Sequence, residues 1–167
     1  MNDETVMVMS DLAKGLVVGV LATWAMEKVT GFLWEHENEE ARKQYEEVTE
    51  GRYPPMRMAE KTNDLLNLGL SDDQRPYLAQ GFHWSYGLGA ASVYALLRRR
   101  VPVAAAGQGL LFGAAFSLVG DEIFTSATAL AESPRQYPWQ AHARGLAGHL
   151  AFGLVAHTAL DLLDRAA

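Results

Sequence analysis

Residues 76–97, PYLAQGFHWSYGLGAASVYALL, and 101–120, VPVAAAGQGLLFGAAFSLVG, contain no Asp, Glu, Lys or Arg. Uncharged, mostly apolar runs of about 18 residues or more are what a membrane-crossing helix needs, because the hydrocarbon core is about 30 Å thick. Two further stretches come close. Residues 15–34 are apolar except for the adjacent Glu27 and Lys28, and residues 145–160 are uncharged but hold His149 and His157. Helices of a water-soluble bundle need charged outer faces, which these segments lack. The expected fold is all-α: an integral-membrane four-helix bundle forming a single domain over 1–167, with spans near 12–34, 77–98, 102–126 and 140–163.

Averages conceal this pattern. The chain of 167 residues is 49% hydrophobic and 20% charged, with net charge −6 and mean hydropathy −0.05, figures that describe an ordinary acidic soluble domain. Residues 35–78, however, hold 11 of the 20 acids and 6 of the 14 bases, so −5 of the −6 lies there. The near-zero mean combines one polar segment with a lipid-compatible remainder. There is no cysteine, which excludes disulfides, thiolate metal sites, iron–sulfur clusters and a cysteine nucleophile. A net-negative chain is a poor nucleic-acid binder. The first fourteen residues, MNDETVMVMSDLAK, are acidic rather than basic, so a cleaved signal peptide is not expected.

Helix one is expected from Ser10 or Asp11 through Trp34, running on as a polar helix through EHENEEARKQYEEV until Gly51, Pro54 and Pro55 break it. Met56–Leu68 reads as a short amphipathic helix capped by Gly69. Ser71 and Gln74 have capping-box spacing, so helix two is expected from Ser71 to about Arg98. Helix three should start near Pro102, and helix four should run from Pro138 to Asp164. Arg98, Arg99 and Arg100 lie in a very short connection, where the positive-inside rule places them in the cytoplasm. Both termini are then cytoplasmic, and the acidic, partly helical 35–76 loop lies outside. Tyr77, Trp84, Tyr137 and Trp139 would form an aromatic belt at the outer surface.

Helix four carries Pro138-Trp139 followed by Gly148-His149-Leu150. With the aromatic, glycine-containing second span (Gly81, Trp84, Gly87) and Gly109/Gly113 in the third, the chain resembles the YagU-like family of multi-pass inner-membrane proteins. The likeness covers residues 12–34 and 79–163 and omits the acidic loop. It implies a bacterial inner (cytoplasmic) membrane location and a theme of acid resistance. It supplies no reaction and no catalytic residues.

Ionisable residues inside membrane helices are costly and count as functional-site candidates. Small residues recur here at i, i+4: Gly15/Gly19, Gly87/Ala91, Gly109/Gly113 and Gly153 beside His149 and His157. Such stripes let helices approach closely in lipid, so polar residues beside them face the interior. At 1.5 Å per residue, Glu27, His83 and His149 fall about 10, 7 and 12 Å below the outer face. Asp121 and Glu122 end helix three. Glu27, His83, Asp121, Glu122 and His149 therefore form a candidate proton, cation or divalent-metal cluster in the outer half of the bundle, with His142, His157 and Asp161 as secondary candidates. Three chemistries use such residues: interhelical hydrogen bonding, proton or ion handling, and metal binding. The expected function is a non-enzymatic membrane protein handling protons or a cation, in transport or stress response. The alternatives are a metal-dependent membrane enzyme or redox accessory subunit, or a structural subunit of a larger complex. Lipid is the expected partner, and a homo-oligomer is compatible with so small a set of spans. The EHENEE run reads as a solvated helix face.

Overall fold

A computed structural model describes residues 2–166, and among them every regular element is helical. Helix α1 (Asp3–His36) begins where the Asn2 side chain accepts the Thr5 N–H at 2.9 Å, with Asp3 and Glu4 on the positive end of the helix dipole. It does not run on through the acidic segment. Glu37 turns extended and Asn38 accepts the Ala41 N–H at 2.8 Å, which starts α2 (Glu39–Thr49) as a separate helix. Helix α3 (Pro54–Leu66) opens on its two prolines. It closes at left-handed Asn67 (φ 49°), so Gly69 serves the following turn instead. Helix α4 (Arg75–Arg100) starts later than Ser71. The Gln74 side chain still accepts the Ser71 N–H at 3.0 Å, closing a turn ahead of the helix.

The third apolar segment departs furthest from expectation. After a 3₁₀ turn at Pro102–Ala105, Gly107, Gln108 and Gly109 have φ of 63°, 58° and 87°. Three left-handed residues in succession cannot join a right-handed helix. The helix therefore starts at Leu110 rather than Pro102, as α5 (Leu110–Phe116), and continues as a π-helix over Ser117–Phe124 into the short α6 (Thr125–Ala127). A 3₁₀ turn at Pro134–Gln136 precedes α7 (Trp139–Ala166).

Three stretches are long and apolar enough to cross a membrane: Asp3–His36, Leu110–Ala127 and Trp139–Ala166. Helix α4 is not among them, although residues 76–97 are free of charge. Gln80, His83, Ser85 and several tyrosines and glycines make it uncharged without making it strongly apolar.

Helix α1 packs between α4 and α7, and α5 packs on α7. Glycine sets the spacing at each contact. A Cβ on Gly15 would strike the Ser92 backbone, and one on Gly19 would lie 2.7 Å from Leu88 Cα. A Cβ on Gly148 would strike Thr30, one on Gly113 the His149 carbonyl, and Gly109 and Gly153 abut each other. The fourth seam differs: α4 and α5 meet through rings, Tyr86 on Phe116 at 5.1 Å and Tyr94 on Phe112 at 4.7 Å. Val18, Ala22, Ala91, Tyr94, Phe152 and Leu160 fill the centre.

An ion network ties one end together. Lys14 meets Asp164 at 2.7 Å, Arg98 meets Asp161 at 2.6 Å and also Asp164, and Arg99 meets Asp11 at 3.0 Å and Asp164 at 2.8 Å. The start of α1 thus joins the ends of α4 and α7, so α1 runs antiparallel to both. These contacts predict a contrast between glycines. Gly153→Ala should destabilise the protein by about 1–3 kcal/mol, because backbone must move to admit the methyl. Gly81→Ala, with no atom within 4 Å of the added carbon, should leave stability unchanged or slightly raised. Denaturant unfolding in mixed micelles compares them, and equal stabilities would contradict the glycine contacts.

Candidate functional site

The ring-propped seam between α4 and α5 opens, toward the end opposite the ion network, into a cavity of about 550 Å³. Helix α1 lines it with Thr23, Met26 and Thr30, and α4 with Phe82, His83 and Tyr86. The π-helix and α7 bring Asp121, Glu122, His142 and His149. Pro54, Pro55 and Met58 of α3 and Tyr45 of α2 roof it.

The acidic 35–78 segment is therefore not simply a solvated loop. Arg57 pairs with Glu132 at 2.9 Å, and Lys61 Nζ donates to the Thr128 and Ala129 carbonyls at 3.0 and 2.9 Å. Those carbonyls lie just past the third apolar helix, where the dipole favours a cation. Within EHENEE, Glu37 is buried rather than solvated and pairs with Arg144, whose guanidinium sits 4.7 Å from the Trp34 ring centre and 4.9 Å from that of Tyr45. Burial raises the Tyr45 phenol above its ordinary pKa, with Arg144 pulling the other way, so Tyr45 stays a protonated donor near neutral pH.

The π-helix decides how the carboxylates are presented. Neighbours on an α-helix point about 100° apart, and the wider π winding narrows that angle. The adjacent Asp121 and Glu122 both line the cavity.

Around this space the candidate residues stand in three pairs. Glu27 accepts from Gln80 Nε2 at 3.0 Å and lies 3.2 Å from His83 Nε2. His149, buried against the edge of Phe116, directs Nδ1 at the Gly145 carbonyl at 2.9 Å, with Asp121 at 3.4 Å. His142 holds Glu122 by Nδ1 at 2.6 Å and the Pro134 carbonyl by Nε2 at 3.0 Å. A carbonyl only accepts, so Nε2 donates, and the Nδ1–Oε1 contact then needs a proton on one of its two partners. The Glu122–His142 pair thus stores one exchangeable proton in either arrangement.

His157 and Asp161 belong to the other end. His157 Nδ1 meets the Tyr94 hydroxyl at 2.7 Å, Nε2 lies 3.6 Å from Asp161, and Asp161 holds Arg98. Among the described residues, no three His, Asp or Glu side chains are grouped to hold one metal ion. The proposed ligands come together two at a time around a shared space.

Arg144, Glu37 and Tyr45 were absent from the sequence candidates, and His142 ranked only second. Arg144 had a visible signal, as the lone basic residue between Arg135 and Arg165. Its partner on the far side of the polar segment had none. No family model matches the chain, and neither does any curated protein or solved structure.

Removing one partner of a buried ion pair strands the other charge. Arg144→Ala should destabilise by roughly 3–5 kcal/mol, and adding Glu37→Gln should recover part of that loss. Denaturant unfolding of the double-mutant cycle measures the coupling, and strictly additive losses would show that the two side chains act independently.

Proposed function

We propose that this chain is a four-pass bacterial inner-membrane protein with both termini in the cytoplasm, whose cavity handles protons or a cation in the outer half of the bundle. The observation that carries this reading is the convergence on one cavity of about 550 Å³ of two His–carboxylate pairs, Asp121 with His149 and Glu122 with His142, together with His83, whose partner Glu27 is not part of the lining. Asp121 and Glu122 put two carboxylates on the cavity wall for a cation, and His83, His142 and His149 put three imidazoles there as hydrogen-bond donors and acceptors. Apolar walls raise the strength of both interactions by lowering the local dielectric.

The outer faces support membrane insertion. Leu16, Val17, Val20, Leu21 and Trp24 on α1, and Leu118, Val119 and Ile123 on the π-helix, are about half exposed or more. The chain exposes 9835 Å², against about 8,100 Å² for a compact water-soluble protein of its mass. The excess suits a protein whose outer surface meets lipid tails rather than water. In this reading α4 crosses as the fourth span, shielded along one face by α1 and tolerating its polar groups because they face the cavity. The resemblance to the YagU-like family agrees with the location and with a role in acid stress. The exposed Tyr77 and Trp139 would sit at the outer interface.

The cysteine-free sequence makes topology directly measurable. Single cysteines replacing the exposed Glu46 and Arg100 should label from opposite faces of sealed membrane vesicles, and labelling from one face would overturn the four-pass arrangement. Function is read in liposomes. The purified protein should couple an imposed cation gradient to lumenal acidification or alkalinisation, and Asp121→Asn should slow that flux by about tenfold or more. Equal rates in Asp121→Asn and wild type would count against cation handling at this cluster.

A further inference from the structure

We infer that the cavity binds an amphipathic organic cation, its charged centre on Asp121 and its apolar body against the rings of Phe82, Tyr86, Phe116 and Phe124. This inference rests on the cation-handling reading above and specifies its ligand.

Charge accounting comes first. The one guanidinium group at the cavity wall, Arg144, already has a partner in Glu37, and the Glu132 carboxylate there is taken by Arg57. Glu122 shares a proton with His142 and is compensated within its own pair. Glu27 is held by Gln80 and His83. Asp121 is left short. His149 Nδ1 carries one hydrogen, already directed at the Gly145 carbonyl at 2.9 Å, and it reaches Asp121 only at 3.4 Å. Among the described residues, no hydrogen bond ends on the Asp121 carboxylate, and its side chain is 43% exposed. A carboxylate at an apolar wall without a donor is satisfied either by taking up a proton or by a cationic ligand, and the space beside Asp121 admits the ligand.

Size and lining then decide which cation. A bare ion needs far less than about 550 Å³, and the geometry groups no three oxygen or nitrogen ligands around one point. A cavity of this volume whose surface is mostly apolar suits a ligand with a carbon skeleton, and its ionisable side chains supply the polar contacts. Aromatic faces add attraction for a diffuse organic cation through the ring quadrupole. Tyr86 and Phe124 line the cavity and are also about half exposed, so they form a rim between α4 and the π-helix. In a membrane that rim faces lipid, the phase in which an amphipathic cation concentrates.

Tetraphenylphosphonium and tetraphenylborate have nearly the same shape and opposite charge, and neither titrates. Equilibrium binding of each to the purified full chain in lipid nanodiscs, with uptake by protein-free nanodiscs of the same lipid subtracted, isolates the sign of the charge at the protein. The phosphonium should bind saturably and the borate at least about tenfold more weakly. Asp121→Asn should weaken phosphonium binding by about tenfold or more and narrow the difference between the two ions. Ala131→Trp fills part of the cavity from a loop position that makes none of the His–carboxylate contacts. It should weaken phosphonium binding while leaving the thermal transition in place. Borate binding as tight as phosphonium, or phosphonium binding unchanged in both variants, overturns the inference. If the phosphonium fails to bind while Asp121→Asn still slows liposome flux, the ligand class falls and the cation-handling reading stands. If neither responds, both fall.

Discussion

Helix backbones touch at glycines in this molecule, and the distribution of its polar chemistry follows from that. Gly15 and Gly19 seat α1 on α4, Gly148 seats α7 on α1, and Gly109, Gly113 and Gly153 bring α5 and α7 together. At such distances no side chain fits between the axes, so van der Waals contact between backbones replaces a conventional side-chain core. Small residues accordingly dominate the centre, with Tyr94, Phe152 and Leu160 its largest fully buried members. Three tight seams leave one place for bulk. The α4–α5 seam takes the rings of Tyr86, Tyr94, Phe112 and Phe116, and the cavity opens where those rings end.

The π-helix is the second consequence. Gly113 must lie on the His149 carbonyl while Asp121 and Glu122 both face the cavity roughly two turns later. The helix is widened to π winding over Ser117–Phe124, the stretch that carries both, in keeping with the frequent occurrence of π segments at functional sites. It also explains why the candidate residues meet as pairs. Each histidine is held on its own helix or loop, His149 by Gly145 and His142 by Pro134, so each reaches only the nearest carboxylate.

The sequence made the helical class and most helix positions readable, because long apolar runs are a strong local signal. It misled where a local feature stood in for a three-dimensional one. Absence of charge over 76–97 marks a helix that is present, but neutral polar groups leave it less apolar than the other three long stretches. Asn38 interrupts a stretch of good helix formers by capping the next helix. The left-handed turn at Gly107–Gly109 lay inside an unbroken apolar run and removed a third of the expected span. At the site, Glu27, His83, Asp121 and His149 were legible from depth and helical phase. The Glu37–Arg144 latch was not, since it joins residues 107 positions apart and periodicity carries no information about such a contact.

The two ends of the molecule treat charge in opposite ways, and this asymmetry bears on which end works. At the end carrying Arg98 and Arg99, three aspartates face Lys14, Arg98 and Arg99 with shared, mutually bridging contacts. Lys14, Arg98, Arg99 and the three aspartates each have a partner on another helix, so separating α1, α4 and α7 would break several contacts at once. At the cavity end the carboxylates face imidazoles instead, beside a space that remains open. The roof closes that space through a few contacts from α2 and α3: the Arg144 stack, the Arg57–Glu132 pair and the Lys61 carbonyl bonds. The helix set is thus clamped by shared ion pairs at the first end, and the contacts least costly to rearrange lie around the cavity, where Asp121 stands.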